Sequence, residues 1–118
     1  MMKENVILDK SFDFALKIIE IYRYLVDERR EFVLSKQLLR SGTSIGANCQ
    51  ESISAQSRKD FISKLSVALK EARETHYWLR LLKASGYISE KQDLSAEIDE
   101  IIRILSSIII STKKNVRN

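Results

Sequence analysis

Proline is missing from the 118-residue sequence altogether, and glycine occurs only at 42, 46 and 86. Sheet architectures need more turn residues than this, whereas a few long helices need very few. The lone cysteine, Cys49, excludes an internal disulfide, and a zinc site would require several ligands that the single histidine, His76, does not complete. No pure apolar run exceeds three residues, as at Ile108–Ile110, far short of the roughly 20 that a membrane span needs. The opening MMKENVILDKSF lacks the apolar h-region of a secretory signal. These absences point to an all-α, cytoplasmic protein with no membrane partner, one domain over 1–118, large enough to bury a real core.

The charge is unevenly spread. Residues 1–34 carry six basic and seven acidic groups, 35–57 two and one, 58–86 seven and three, and 87–118 five and five. The whole excess of +4 therefore matches that of the third segment, which permits a nucleic-acid partner.

Apolar periodicity predicts four helices, over about 10–27, 36–56, 58–84 and 90–112. Asp9 or Ser11 is expected to cap the first, Ser35 the second, Ser57 with Asp60 the third, and Ser89 with Gln92 the fourth. Gly86 fits the left-handed position that ends the third helix, and the tail 113–118 is expected to fray. Phe61, Leu65, Ala68, Ala72, Thr75, Leu79 and Leu82 alternate four-three, as do Leu94, Ile98, Ile101, Leu105 and Ile108. That is the seam of an antiparallel up-down four-helix bundle.

The stretch RSGTSIGANCQES (40–52) has helical period but the composition of a turn. Each glycine costs about 1 kcal/mol against alanine in a helix interior. Gly42 and Gly46 are therefore expected to let another helix come close, with the small Ala68 and Ala72 of the third helix opposite them. A phosphate-binding loop is the competing reading, disfavoured because GTSIGAN lacks the Gly-x-x-x-x-Gly-Lys-Ser/Thr spacing and no strand precedes it.

The first and fourth helices are apolar over more of their circumference than one core needs. The excess predicts contact with a second copy, through residues such as Ile18, Ile109, and Trp78 and Leu81 on one side of the third helix.

Candidates for chemistry are few. His76 has Arg73 three residues before it, where a di-metal bundle needs Glu. Cys49 lies on the apolar face and reads as a small buried hydrophobe. Glu71 and Glu74 have the spacing of paired carboxylates, but only Glu51 offers itself as a third ligand. No catalytic residue, cofactor site or metal site is expected. Lys59, Lys70, Arg73 and Arg80 fall instead within about 80° of one another on a helical wheel, with Tyr77 among them. Cations along one helix with an aromatic between them suit a phosphate backbone and a stacked base. An ordinary solvated face has the same composition.

LSKQLLRSGTSIGAN (34–48) and KLSVALKEARETHYWLRLLKASGYI (64–88) together resemble the 23S rRNA-intervening-sequence proteins, also called four-helix bundle proteins. The resemblance covers nearly the whole chain, and NCQES (48–52) departs from the commoner NIAEG or NIAEA. It implies a bacterial up-down bundle that assembles as a cyclic homopentamer, with no catalytic residues to carry over. A related protein is the basic accessory pentamer of diversity-generating retroelements, implicated in binding nucleic acid and a reverse transcriptase. RNA or DNA, or a protein such as a reverse transcriptase, are thus the partners the resemblance implies. The alternative is a protein-interaction scaffold with no nucleic-acid role.

Overall fold

A computed structural model describes residues 3–117, with side chains from 6 to 115. It contains α1 (Lys3–Asp27), α2 (Leu34–Ser52), α3 (Arg58–Ala84), a 3-10 turn (Glu90–Gln92) and α4 (Ser95–Arg117). Each helix packs on the next, and α1 also packs on α4, which closes the bundle. Cross-helix contacts fix every neighbouring pair as antiparallel. Gly42 and Gly46 of α2 face Ile18 and Ser11 of α1 in descending order. Arg40 and Glu51 of α2 meet Glu71 and Lys64 of α3, again descending. Lys10 and Lys17 of α1 reach Glu100 and Glu97 of α4, and His76 and Lys83 of α3 approach Asp99 and Asp93. The up-down four-helix bundle is therefore as the spacing predicts.

The core is built from the seam residues of all four helices. Phe14, Ile18 and Leu25, Leu38 and Ile45, Leu65, Leu79 and Leu82, and Ile98, Ile101 and Leu105 are all buried. Each such side chain contributes about 1.5–3 kcal/mol by leaving water. Ala68 and Ala72 are also fully buried. A buried polar contact also crosses the α2–α3 seam, where the hydroxyls of Ser41 and Thr75 lie 2.9 Å apart. Every buried side-chain nitrogen or oxygen among the described residues has a partner.

Helix ends differ from the sequence reading in several places. Asp9 and Ser11 are interior to α1, not caps, and Ser11 is buried with its hydroxyl donating to the Leu8 carbonyl. Ser35 does not cap α2 either; its hydroxyl donates back to the Glu31 carbonyl. The cap is Glu31, whose carboxylate accepts from the backbone N–H groups of Val33, Leu34 and Ser35 at 2.7–3.2 Å. α2 stops at Ser52, four residues early. Ser57 caps α3, its hydroxyl accepting from Asp60 N, and Gly86 adopts φ +82° beyond the C-terminus, both as expected. Ser89 and Gln92 form their capping box around the 3-10 turn alone, and Asp93 caps α4 by accepting from Ser95 N. α4 then continues to Arg117, through most of the tail expected to fray; Asn118 lies outside the described residues.

Glu31 supplies a pH-dependent prediction. Partial burial raises its pKa, but the backbone N–H groups of Leu34, Ser35 and Val33 outweigh that, so the net shift is downward from 4.5. A depressed carboxylate pKa stabilises the fold above the unfolded value and ceases to as pH falls through the folded one. Glu31→Ala should cost about 1 kcal/mol in urea unfolding at pH 7, as for loss of an N-cap. The difference from the parent should shrink below pH 4.5.

Candidate nucleic-acid interface

α3 runs for 27 residues without interruption, and this continuity carries the basic strip. Burial of Leu65, Ala68, Ala72, Thr75, Leu79 and Leu82 turns one face inward. Lys59, Lys70, Arg73, Tyr77 and Arg80 consequently point outward, and all five are exposed. From Lys59 to Arg80 the strip extends roughly 31 Å, at 1.5 Å per residue.

Electrostatics separate these cations from those held in ion pairs. Lys10, Lys17, Lys64 and Lys83 each hold a carboxylate at 2.9–3.4 Å. None of Lys59, Lys70, Arg73 and Arg80 has an acidic partner among the described residues. The acids of α3 are occupied elsewhere. Glu71 and Glu74 both hold Arg40 of α2, and Glu74 also accepts from the Trp78 indole N–H at 2.9 Å. Asp60 accepts from Gln56 N at 3.3 Å. The four strip cations are left facing solvent, as is Arg58 at the start of α3. Tyr77, 51% exposed, stands among them with its ring edge-on to Trp78 at a centroid distance of 5.3 Å.

The structure adds cations that the strip on α3 alone did not include. Arg103, Lys113 and Lys114 of α4 are exposed and unpaired among the described residues. His76 Nε2 lies 3.7 Å from Asp99 Oδ1, which sets the register of α3 against α4. Arg103, one turn beyond Asp99 on an antiparallel helix, is then level with Arg73, and Lys113 with the first turns of α3. Only packing sets these residues level, and no local spacing in the sequence signals it.

Two expectations need correction. Ile18 is fully buried beneath Gly42, and Ile109 is 7% exposed, so both are spent on the chain's own core and neither is free to meet a second copy. Each bundle helix touches two neighbours, so the arc it buries internally is wider than one seam. Trp78 and Leu81 are half-buried, and Trp78 packs against the core. The glycines face α1, not Ala68 and Ala72 of α3.

The uncovered apolar surface lies elsewhere. Phe12 is 65% exposed and Leu16, one turn on, 49%. Beside them a groove of about 290 Å³ between α1 and α2 is lined by Ser11, Phe12, Ala15, Thr43, Gly46, Ala47 and Gln50. Ile110 of α4 is exposed as well.

The remaining candidates for chemistry are engaged structurally. Cys49 is buried, and burial pushes its thiol up to about 11, against the lowering contact with Ser11. Glu71 and Glu74 are tied to Arg40, and no cluster of three metal-ligating side chains occurs among the described residues. Asn48 donates to the Ser44 carbonyl within its own helix. Among the described residues no helix is long and apolar enough to cross a membrane.

No curated protein matches the chain. A crystal structure of a protein of unknown function from the S23 ribosomal protein family of Bacteroides thetaiotaomicron VPI-5482 is 55% identical, with a TM-score of 0.89 over 92% of this chain and 98% of that one. The model of the 23S rRNA-intervening sequence proteins matches residues 3–107. The chain belongs to the 23S rRNA-intervening sequence protein family.

Proposed function

We propose that this protein is a non-enzymatic, cytoplasmic, homo-oligomeric accessory factor that binds nucleic acid, RNA in particular, through the outward face of α3. The observation that carries the reading is the set of four exposed cations without acidic partners, Lys59, Lys70, Arg73 and Arg80, beside Tyr77. The acids of the same helix are turned to Arg40 and Gln56, which leaves the strip without a compensating ion pair among the described residues. Binding through phosphate contacts falls with salt, each neutralised phosphate adding about 0.7–0.9 to the slope of log K against log salt. Titrating a fluorescent structured RNA between 50 and 200 mM salt should give a slope at least as steep as about −3 per protomer. A flat response would remove the reading.

Self-association rests on Phe12 and Leu16, large apolar side chains left uncovered beside a groove, with Ile110 contributing from α4. A ring of five follows the family resemblance. Light scattering at micromolar concentration should report an assembly, and replacing Phe12 and Leu16 together by Glu should reduce it to monomers with unchanged helicity. A monomeric parent protein overturns self-association. The second reading, a scaffold for another polypeptide such as a reverse transcriptase, draws on the same groove. It predicts loss of that partner from the Phe12/Leu16 variant with nucleic-acid binding intact.

A further inference from the structure

We infer that the face formed by α3 and α4 together takes an A-form RNA duplex, not an unpaired strand; this rests on the nucleic-acid reading above and names its substrate class. The cations form two rows. Lys59, Lys70, Arg73 and Arg80 run along α3 for roughly 31 Å, and Arg103, Lys113 and Lys114 along α4 for roughly 16 Å. Neighbouring helix axes are about 8–10 Å apart, so the rows make a wall and not a line.

Three features of that wall select its ligand. Proteins that hold single strands combine a basic groove with several aromatic platforms on which bases stack. Here the grooves described border α1, lined by residues such as Lys17, Lys10 and Phe12, and none is lined by a cation of the wall. The aromatic exposed among the cations is Tyr77 alone, its ring already edge-on to Trp78. A continuous helix also presents its charges at fixed spacing. A duplex offers phosphates at fixed spacing in return, whereas a single strand must be straightened to match, at a cost in entropy.

Relief then separates RNA from DNA duplexes. Direct entry to the B-form major groove, about 12 Å wide and 8.5 Å deep, requires a protruding helix. α3 is packed on both flanks, by α2 and α4, in a body 52 × 22 × 22 Å. Its face is broad and low. The wide, shallow minor-groove side of an A-form helix, bordered by phosphates and 2′-hydroxyls, accepts such a face.

The test compares three probes of one sequence and of about 16 nucleotides per strand: an RNA duplex, a DNA duplex and a single-stranded RNA, titrated against the full chain in the same salt. The RNA duplex should bind at least tenfold tighter than the single strand and at least threefold tighter than DNA. Arg103→Glu, on α4, should weaken duplex RNA at least threefold, and Tyr77→Ala less than twofold. A single strand or DNA duplex that binds as tightly, an Arg103→Glu variant that binds normally, or a tenfold loss with Tyr77→Ala overturns the duplex assignment while leaving nucleic-acid binding standing. Failure of all three probes to bind overturns the nucleic-acid reading itself.

Discussion

Reversing Lys70, Arg73 and Arg80 together to Glu is expected to weaken RNA binding by at least a hundredfold while the bundle stays folded. Each reversal removes a phosphate contact and sets a like charge against the backbone. Three changes of two units take the net charge from +4 to −2. The salt slope should become shallower in parallel, by about 2 to 3, because three phosphate contacts are lost. Folding is spared because all three side chains are exposed and make no ion pair among the described residues. Glu is also close to Lys and Arg in helix propensity, and surface changes of this kind stay within about 0.5 kcal/mol. The control is an equal reversal elsewhere. Arg23, Lys36 and Lys91 lie on α1, α2 and the 3-10 turn, are exposed, and lack acidic partners among the described residues. Changing them to Glu alters net charge identically, and should cost less than tenfold. Equal losses in the two variants would mean that total charge, not the α3 face, governs binding.

What could be read from the sequence was what depends on near neighbours along the chain. Four-three spacing identified the seam from Leu65 to Leu82 and from Leu94 to Ile108, because helical periodicity alone decides which residues share a face. Ser57 and Gly86 were legible because each acts within its own turn. Asp9 and Ser11 misled for the same reason. They have the chemistry of caps, yet Ser11 also lies on the buried face of α1, and tertiary packing carries the helix through it. Glu31 escaped notice because it caps α2 from outside the helix, by a long carboxylate folded onto three N–H groups. The error over Ile18 and Ile109 has a geometric source. A wheel measures how wide an apolar arc is, but not how many neighbours share it; the large apolar side chains left exposed on α1 and α4 are Phe12, Leu16 and Ile110. Likewise the strip on α3 was visible in one helix, whereas Arg103, Lys113 and Lys114 join it only through the register that His76 and Asp99 mark.

The two helical glycines should respond to substitution with opposite signs, although the sequence presents them alike. A Cβ at Gly42 would stand 2.8 Å from Ile18 Cγ1 and 2.9 Å from Cγ2. Ile18 is fully buried, and its β-branched side chain has one strongly preferred χ1 rotamer in a helix, so it has no easy way to yield. Gly42→Ala gains about 1 kcal/mol in helix propensity. Overpacking costs about 1–3 kcal/mol, which leaves a net loss. Gly42→Leu places three more carbons in the same space and should cost more than about 3 kcal/mol, a large share of the roughly 5–15 kcal/mol that keeps a small domain folded. At Gly46 the nearest atoms to a new Cβ are the Ser11 carbonyl and hydroxyl oxygens at 3.4 Å, an ordinary contact. Gly46→Ala should therefore stabilise the protein by about 0.5–1 kcal/mol. Urea unfolding measures both. The decisive comparison is with the double variant Ile18→Ala with Gly42→Ala, in which the methyl group enters the space the isoleucine leaves. Its loss should be smaller than the sum of the two single losses, since residues in contact couple by about 0.5–3 kcal/mol. Simple additivity, or a Gly42→Ala protein more stable than the parent, would mean that the α1–α2 approach does not depend on the missing side chain.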